Sequence, residues 1–353
     1  MAEADAQNFP EPGIGRIPRT NIRKRYIFGL SESYDVGVLD RKVVMESSFN
    51  NFFEIGRKLN SSNYGSVVHG ILVVPTEVIH DNETVYERTD CEVAMKVSSK
   101  KEYRKLTGRT EEDPLNEISA LQFIGNGNPN IICMLECCED EDHIYLIMPC
   151  YSGGELISFI HSFGVFNESR ARGMMKQLLN ALQHLQYLGI GHRDFSCENI
   201  LFDETRELFV LIDFGMCRRC HLKEATIANP PAVIDASCYR PLARLPICGK
   251  QNYVAPEVFR GEATFNPMLC DIWALGIILF VTLTGIPPVD AALESDERYR
   301  MIAEGRLYVL TECWNMDLSH EVLDLIQHIL RPDPNQRLSI SQILAHPWMN
   351  KQD

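Results

Sequence analysis

The chain has 353 residues, of which 45% are hydrophobic and 23% charged, and its formal net charge is −14. These values are ordinary for a globular protein and exclude a wholly disordered chain, a collagen-like fibre and a coiled coil. The acidic balance argues against nucleic acid as a partner, because sequence-independent affinity for nucleic acid comes mainly from Lys and Arg on phosphates. The 12 cysteines lack the spacing of a disulfide framework and favour a reduced compartment, so we expect a cytoplasmic protein, with the nucleus as an alternative.

Residues 1–45 combine prolines and glycines with a basic run at 23–25, and they predict a tail or docking arm without an apolar signal segment. Residues 46–150 have the alternating pattern of strands and predict the first lobe. Its predicted strands are 53–55, 66–68, 92–97, 130–135 and 143–148. A polar stretch at 80–90 predicts a long hairpin loop. Asp113-Pro114 predicts the start of a helix that runs to about residue 123.

Residues 151–349 change to a helical pattern and predict the second lobe, followed by a short tail at 350–353. Helices are predicted at 168–188 and near 268–284, 319–330 and 339–346. The most apolar stretch, 272–286, is shorter than the roughly 20 residues of a membrane span, so we expect a buried core helix and no membrane span. Strands followed by helices predict the α+β class with two lobes.

Four short motifs follow one another along the chain. Val-Ala-Met-Lys at 93–96 falls on a predicted strand, and His-Arg-Asp at 192–194 is followed by Asn199. Asp-Phe-Gly stands at 213–215 and Ala-Pro-Glu at 255–257. Each motif alone is common by chance, and a solvated charge or a turn would explain it. Their joint order, intervals and placement on the expected elements point instead to one shared chemistry.

The motifs resemble those of the eukaryotic protein kinases, and the resemblance covers residues 53–349. Asp-Pro-Asn-Gln-Arg at 333–337 and His-Pro-Trp at 346–348 are most similar to Ser/Thr kinases of the calmodulin-dependent-like branch. The resemblance implies a two-lobed α+β fold, with a β-rich N-lobe, a helical C-lobe and the ATP site between them. It also implies transfer of the ATP γ-phosphate to Ser or Thr hydroxyls of protein substrates, with Mg²⁺ as cofactor.

The resemblance assigns roles to individual residues. Lys96 would bind the α- and β-phosphates and be held by Glu117, and Asp194 would orient the acceptor hydroxyl and accept its proton. Asn199 and Asp213 would be ligands of Mg²⁺, which prefers hard oxygen donors. Further nucleotide contacts would come from Leu59, Asn60, Ser62, Gly65, Val67, Ala94, Met148, Cys150, Glu155 and Leu201.

Two departures from the family pattern bear on activity. The glycine-rich loop keeps only its third glycine, Gly65, with Asn60 and Ser62 at the first two positions. The usual lysine of the catalytic loop is replaced by Ser196, and the usual threonine before Ala-Pro-Glu is replaced by Lys250. We interpret the second departure as a compensated exchange, with Lys250 and Ser196 both catalytic. Two independent losses in a decaying enzyme are the alternative.

The activation segment, residues 213–257, is long and has Pro246 at the usual phosphorylation position. Arg193, which binds that phosphate in the family, would need another anion. The candidates are Thr226, Ser237 or Tyr239 after phosphorylation by an upstream kinase, or Asp235 without it. Two other function classes stay open: a pseudokinase or weakly active scaffold, and a small-molecule kinase, which the Ala-Pro-Glu motif disfavours.

Overall fold

The structure, a computed structural model, describes residues 23–24, 44–46, 52–80 and 83–351. Most of the tail predicted at 1–45 and the last two residues therefore lie outside the described residues. The chain divides into two compact units, which we describe separately. The strand-rich unit contains the described residues up to Asn126 and Ile132–Cys150, and the helix-rich unit contains Gly127–Ile131 and all described residues from Tyr151 onward.

Seven strands and two helices form the described part of the strand-rich unit. The strands are β1 Arg23–Lys24, β2 Val44–Glu46, β3 Phe52–Ser62, β4 Gly65–His80, β5 Glu83–Ser99, β6 Glu136–Glu139 and β7 His143–Pro149. The helices are α1 Lys100–Leu106 and α2 Pro114–Ile124. The strands form one sheet in the order β1-β6-β7-β5-β4-β3-β2, in which only the β1–β6 pair is parallel.

Strict alternation along the central strands gives this sheet two different faces. Val68 lies opposite Met95, and Met95 lies opposite Ile147, and all three are buried in one apolar cluster. Residues one position along the same strands, such as Ala94 and Lys96, therefore point to the other face. We call this second face the functional face, because most of the predicted nucleotide contacts lie on it.

Two element predictions for residues 46–150 are wrong. The polar stretch at 80–90 is not a long loop, because β4 and β5 continue to pair from Val73 opposite Arg88 to His80 opposite Glu83. A polar sequence is compatible with a two-stranded ribbon as well as with a loop. Residues 130–135 do not form a strand, and β6 begins at Glu136 instead. The run is irregular chain: Ile131 forms an isolated bridge with Leu211, and the Leu135 N–H donates to the Ile147 carbonyl at 2.9 Å.

Nine helices and six short strands form the described part of the helix-rich unit. The helices are α3 Leu156–Phe163, α4 Glu168–Leu188, α5 Glu224–Ala228, α6 Pro256–Phe259, α7 Pro267–Thr284, α8 Glu297–Ala303, α9 Leu307–Cys313, α10 His320–Ile329 and α11 Ile340–Ala345. The strands are β8 Ile190–Gly191, β9 Ile200–Asp203, β10 Leu208–Leu211, β11 Arg218–Arg219, β12 Leu242–Ala243 and β13 Thr264–Phe265. They pair as antiparallel β9–β10, β8–β11 and β12–β13. The four helices predicted in this region are confirmed to within two residues at each end, and with them the α+β class.

Helix α7 is the centre of the helix-rich unit. It is long and apolar enough to cross a membrane by length and composition, but all its side chains except Leu269 and Thr284 are buried in the protein. This burial is the arrangement of a core helix. Beside α7, Arg337 donates to both carboxylate oxygens of Glu257 at 2.7 and 2.5 Å, with both side chains almost fully buried. This ion pair joins the Ala-Pro-Glu motif at 255–257 to the Asp-Pro-Asn-Gln-Arg motif at 333–337.

Candidate active site

Lys96 and Glu117 form a buried ion pair in the strand-rich unit. The Nζ atom of Lys96, on β5, lies 2.7 Å from Oε2 of Glu117, and the two side chains are 7% and 2% exposed. Glu117 lies in the first turn of α2, where the helix dipole favours a carboxylate. Asp113 caps this helix by accepting from the Leu115 N–H at 2.9 Å, and Pro114 follows it, as the sequence predicts. The cap fixes the turn that carries Glu117.

Strand register brings the predicted nucleotide contacts of this unit together. Val67 is opposite both Asn60 and Lys96, and Ala94 is opposite Met148, so these five side chains share the functional face. Paired residues on one face of a sheet lie about 4.5–5.5 Å apart at Cβ. The remaining predicted contacts of this unit lie at or near strand ends: Leu59 and Ser62 on β3, Gly65 at the start of β4, and Cys150 directly after β7.

In the helix-rich unit, Asp271 of α7 holds the backbone around Asp194. Its carboxylate accepts from the N–H groups of His192 at 2.7 Å and Arg193 at 3.0 Å. Burial raises the pKa of the Asp271 carboxyl, and the neighbouring His192 together with these N–H donors opposes that rise. Arg193 has a φ of 70°, a left-handed conformation that non-glycine residues rarely adopt. The two hydrogen bonds stabilise this strained turn and so fix the direction of Asp194.

Asp194 is surrounded by three polar side chains. Asn199 donates from Nδ2 to the Asp194 carbonyl at 2.8 Å and to its Oδ2 at 2.7 Å. The Nζ atom of Lys250 lies 3.3 Å from Oδ2 of Asp194 and 3.1 Å from Oγ of Ser196. Lys250 therefore places its ammonium group beside Asp194 and Ser196. This is the position required if Lys250 substitutes for the usual lysine of the catalytic loop, where this chain has Ser196.

Gly249 allows the chain before Lys250 to approach Asp194. Its φ is 83°, and a Cβ atom at this position would lie 2.8 Å from the Arg193 carbonyl oxygen and 3.2 Å from Oδ1 of Asp194. Only glycine satisfies both requirements without displacing the carboxylate. A cavity opens beside these residues, and Val254 also lines it.

Asn199 and Asp213, the predicted metal ligands, lie on adjacent backbone segments. The N–H of Ile212 donates to the Asn199 carbonyl at 2.9 Å, and Asp213 follows with a φ of 64°. Because the Asn199 amide nitrogen faces Asp194, its amide oxygen faces away from that carboxylate. Two neutral or anionic oxygen donors on neighbouring segments fit Mg²⁺. Glu155 and Leu201, the two nucleotide contacts predicted in this unit, are joined by an isolated β-bridge.

Comparison with known protein families agrees with the family predicted from the motifs. The sequence model of the protein kinase domain matches residues 82–349, about three quarters of the chain. The chain belongs to the protein kinase family. Its kinase domain includes all of the motifs from which the family was predicted.

Several characterised kinases are similar to this kinase domain. MAP kinase-interacting serine/threonine-protein kinase 1 of Xenopus tropicalis is 32% identical over 69% of this chain and 60% of its own length. Calcium-dependent protein kinase 3 of Plasmodium berghei is 34% identical over 76% of the chain and 44% of its own length. Calcium-dependent protein kinase 1 of Arabidopsis thaliana is 29% identical over 88% and 44%, respectively. These relatives confirm the predicted family and branch, and the chain spans at most 60% of the length of each of the three.

The glycine-rich loop of this kinase domain is a tight hairpin turn. Ser62 pairs with Gly65, so Asn63 and Tyr64 alone form the turn between β3 and β4. A Cβ atom on Gly65 would lie only 2.2 Å from the Val97 carbonyl oxygen. The third glycine of the loop is therefore required by the close approach of two strands, whatever it does for a nucleotide.

Glu112 and Tyr64 are functional candidates that the sequence did not predict. Oε1 of Glu112 lies 3.6 Å from Nζ of Lys96, and Asn63 donates to the other carboxylate oxygen. The Tyr64 hydroxyl donates to the Glu112 carbonyl at 2.6 Å and lies 2.8 Å from Oγ1 of Thr110. The hairpin turn is thus fastened to the chain before α2, and Lys96 has two carboxylate neighbours.

The guanidinium of Arg193 contacts carbonyl groups of the activation segment. It donates to the Met216 carbonyl at 3.2 Å and to the Pro246 carbonyl at 2.9 Å. The four predicted anion candidates have contacts elsewhere: Thr226 with the Cys238 carbonyl, Ser237 with Asp235, and Tyr239 with the Tyr187 carbonyl. In this conformation the carbonyls hold Arg193, and an anionic partner for it stays a prediction.

Proposed function

We propose that the chain is an ATP-dependent serine/threonine protein kinase. The observation that carries the proposal is the environment of Asp194, whose carboxylate is oriented by Asn199 and lies beside the cation of Lys250. A carboxylate held in this way can direct an acceptor hydroxyl and receive its proton. The adjacent cavity, lined by Asp194, Gly249 and Lys250, is a suitable entry for a Ser or Thr side chain.

Phosphoryl transfer depends mainly on positioning and on neutralising oxygen charge. Lys96, kept in place by Glu117, would bind nucleotide phosphate oxygens. Asn199 and Asp213 would hold Mg²⁺, which when bound supplies positive charge to the phosphate oxygens. Lys250 would stabilise the charge that develops near Asp194 as the hydroxyl attacks.

The substrate preference would be Ser at least as much as Thr, with a basic residue a few positions upstream. Met216 follows the Asp-Phe-Gly motif, and the family does not favour Thr when an unbranched residue stands there. Glu155 and Glu198 match positions that attract substrate Arg. One carboxylate oxygen of Glu198 is buried without a hydrogen-bond partner in the structure, which favours an incoming cation there.

A radiolabelled-ATP assay on a generic basic protein tests the proposal. We expect transfer by the unmodified chain, and a loss of at least about a hundredfold in Asp213→Ala, because a group aimed at the transferring phosphoryl is removed. Glu207→Gln is the matched control, since it removes an exposed carboxylate from the same unit. A chain that folds and binds ATP without transferring phosphate would instead be a pseudokinase.

The cellular setting is also part of the proposal. All 12 cysteines are free in the structure, in keeping with a reducing cytoplasm. Protein substrates, and an upstream kinase that modifies the activation segment, would be the partners in a signalling role. Peptide mass mapping of the chain from its native cells would test for phosphate at Thr226, Ser237 or Tyr239.

A further inference from the structure

Three side chains with different metal-binding atoms lie together on the functional face, away from Lys96. They are His69 on β4, Glu92 on β5 and Cys150, which follows β7. Their ligand atoms all lie within 4.8 Å of one another, and Nε2 of His69 is 3.4 Å from Oε2 of Glu92. All three belong to the strand-rich unit, so their separation is set within one compact body.

Strand register explains why these residues meet. His69 is opposite Ala94, and Glu92 lies two residues before Ala94, so both side chains point to the functional face. Met148 is opposite Ala94 on the other side, and Cys150 lies two residues after it. Two of the three residues therefore come from neighbouring positions on the paired strands β4 and β5, and the third directly follows the adjacent strand β7.

Gly56 leaves space for the imidazole of His69. A Cβ atom at Gly56, on β3, would lie 2.9 Å from Nδ1 of His69 and would displace the ring. The His69 side chain is 17% exposed, whereas that of Glu92 is 58% exposed. The ring is consequently packed on one edge, and its Nε2 edge faces the carboxylate.

We propose that His69, Glu92 and Cys150 form a binding site for a divalent transition metal of the zinc class. Tetrahedral Zn²⁺, with bonds of about 2.0–2.3 Å, places its ligand atoms about 3.3–3.6 Å apart. The observed separation of His69 from Glu92 already satisfies this, and a side-chain shift of about 1 Å brings in the thiol. Imidazole, thiolate and carboxylate together suit zinc, whereas Mg²⁺ selects oxygen donors alone.

A metal here would join three strands of the sheet and would sit beside Met148 and Ala94. If those two residues contact the adenine ring, as the proposed function implies, the metal lowers nucleotide affinity. This consequence rests on the proposed function, but the binding site itself does not. Binding and activity therefore need separate measurements.

The test is a titration of the metal-free full chain with Zn²⁺ in competition with a chromophoric chelator. We expect Cys150→Ser and His69→Gln each to weaken the tightest zinc binding by at least about tenfold, because each removes one of three ligands. Cys91→Ser is the matched control: Cys91 is an exposed thiol directly before Glu92, and its loss should change the affinity less than about twofold. Unchanged binding in both ligand variants, or an equal loss in Cys91→Ser, overturns the site.

A second measurement uses the unmodified chain and so does not depend on the folding of any variant. Zn²⁺ should protect Cys150 from alkylation in a peptide-resolved mass spectrum, while Mg²⁺ at the same concentration should not. Equal alkylation of Cys150 with and without Zn²⁺ overturns the proposal. Zinc inhibition of phosphoryl transfer, expected in the unmodified chain and weaker in His69→Gln, then tests the nucleotide effect alone: if the metal binds without inhibiting, the site stands and the adenine assignment fails.

Discussion

Exchanging Ser196 and Lys250 tests the central feature of the active site. Lys250→Thr removes the cation whose Nζ lies 3.3 Å from Asp194. At that distance two unit charges attract by about 5 kcal/mol at an effective dielectric constant of about 20. The lysine side chain is 34% exposed, so water screens much of this, and only the part that grows in the transition state accelerates transfer. We therefore expect a loss of about 1–3 kcal/mol, or about 5- to 150-fold in kcat/KM.

The other two corners of the cycle make the test specific. Ser196 is fully buried, and its Oγ already lies 3.1 Å from Nζ of Lys250, so Ser196→Lys alone places two ammonium groups together and should also lower activity. The double variant carries one cation in the usual position and should recover most of the loss. Contacting groups show coupling of about 0.5–3 kcal/mol in such cycles.

The assay is kcat/KM for all four proteins, with thermal unfolding measured beside it. Lys176→Thr is the control, since Lys176 is exposed on α4 of the same unit. A silent Lys250→Thr would refute the reasoning, and so would a double variant whose loss is the sum of the two single losses. Either result would favour two independent losses in a decaying enzyme.

Further variants test the strand-rich unit. Lys96→Met should lower kcat/KM by at least about a hundredfold in steady-state kinetics without unfolding the chain, because it removes a cation aimed at phosphate. Glu112→Gln should tighten ATP binding by calorimetry, because it removes a negative charge 3.6 Å from Lys96 while keeping a hydrogen-bond acceptor for Asn63; unchanged affinity would contradict this. The joint change of Asn60 and Ser62 to Gly should also tighten ATP or raise turnover, and no gain would mean that these loop departures are neutral. Gly65→Ala should destabilise the fold by about 1–3 kcal/mol in denaturant unfolding, since its Cβ overlaps the Val97 carbonyl.

The candidate active site could be predicted from sequence because its residues stand in local motifs with fixed spacing. The contact between Lys250 and Asp194 was predictable for the same reason. The lysine absent at position 196 is matched by a lysine at position 250, where the family has threonine. Glu112 was not predictable, because an acidic run before a helix is usually solvated. Contacts with the β3–β4 turn hold Glu112 beside Lys96: Tyr64 donates to its carbonyl and Asn63 to its carboxylate.

The two wrong element assignments have a common physical cause. A short apolar run such as 130–135 is compatible with a strand, a buried helix or an irregular core segment, and its partners decide among them. For the polar stretch at 80–90, a loop was predicted where strands form. A two-stranded ribbon needs no buried face to complete its backbone hydrogen bonds, so its sequence need not be apolar. Sequence periodicity reports burial, and in 130–135 only the first three residues are buried.

Because Lys250 lies in the activation segment, the rate of phosphoryl transfer would depend on how completely that segment is ordered. At Gly249 the activation segment lies close to the Arg193–Asp194 backbone, so the cation reaches Asp194 only in molecules in which that contact is formed. The observed kcat would then equal the intrinsic value multiplied by the fraction of such molecules, while ATP affinity at Lys96 need not change. A shift from 1% to 50% formed contact would raise kcat about fiftyfold, which is a free-energy change of about 2.7 kcal/mol, or about two hydrogen bonds.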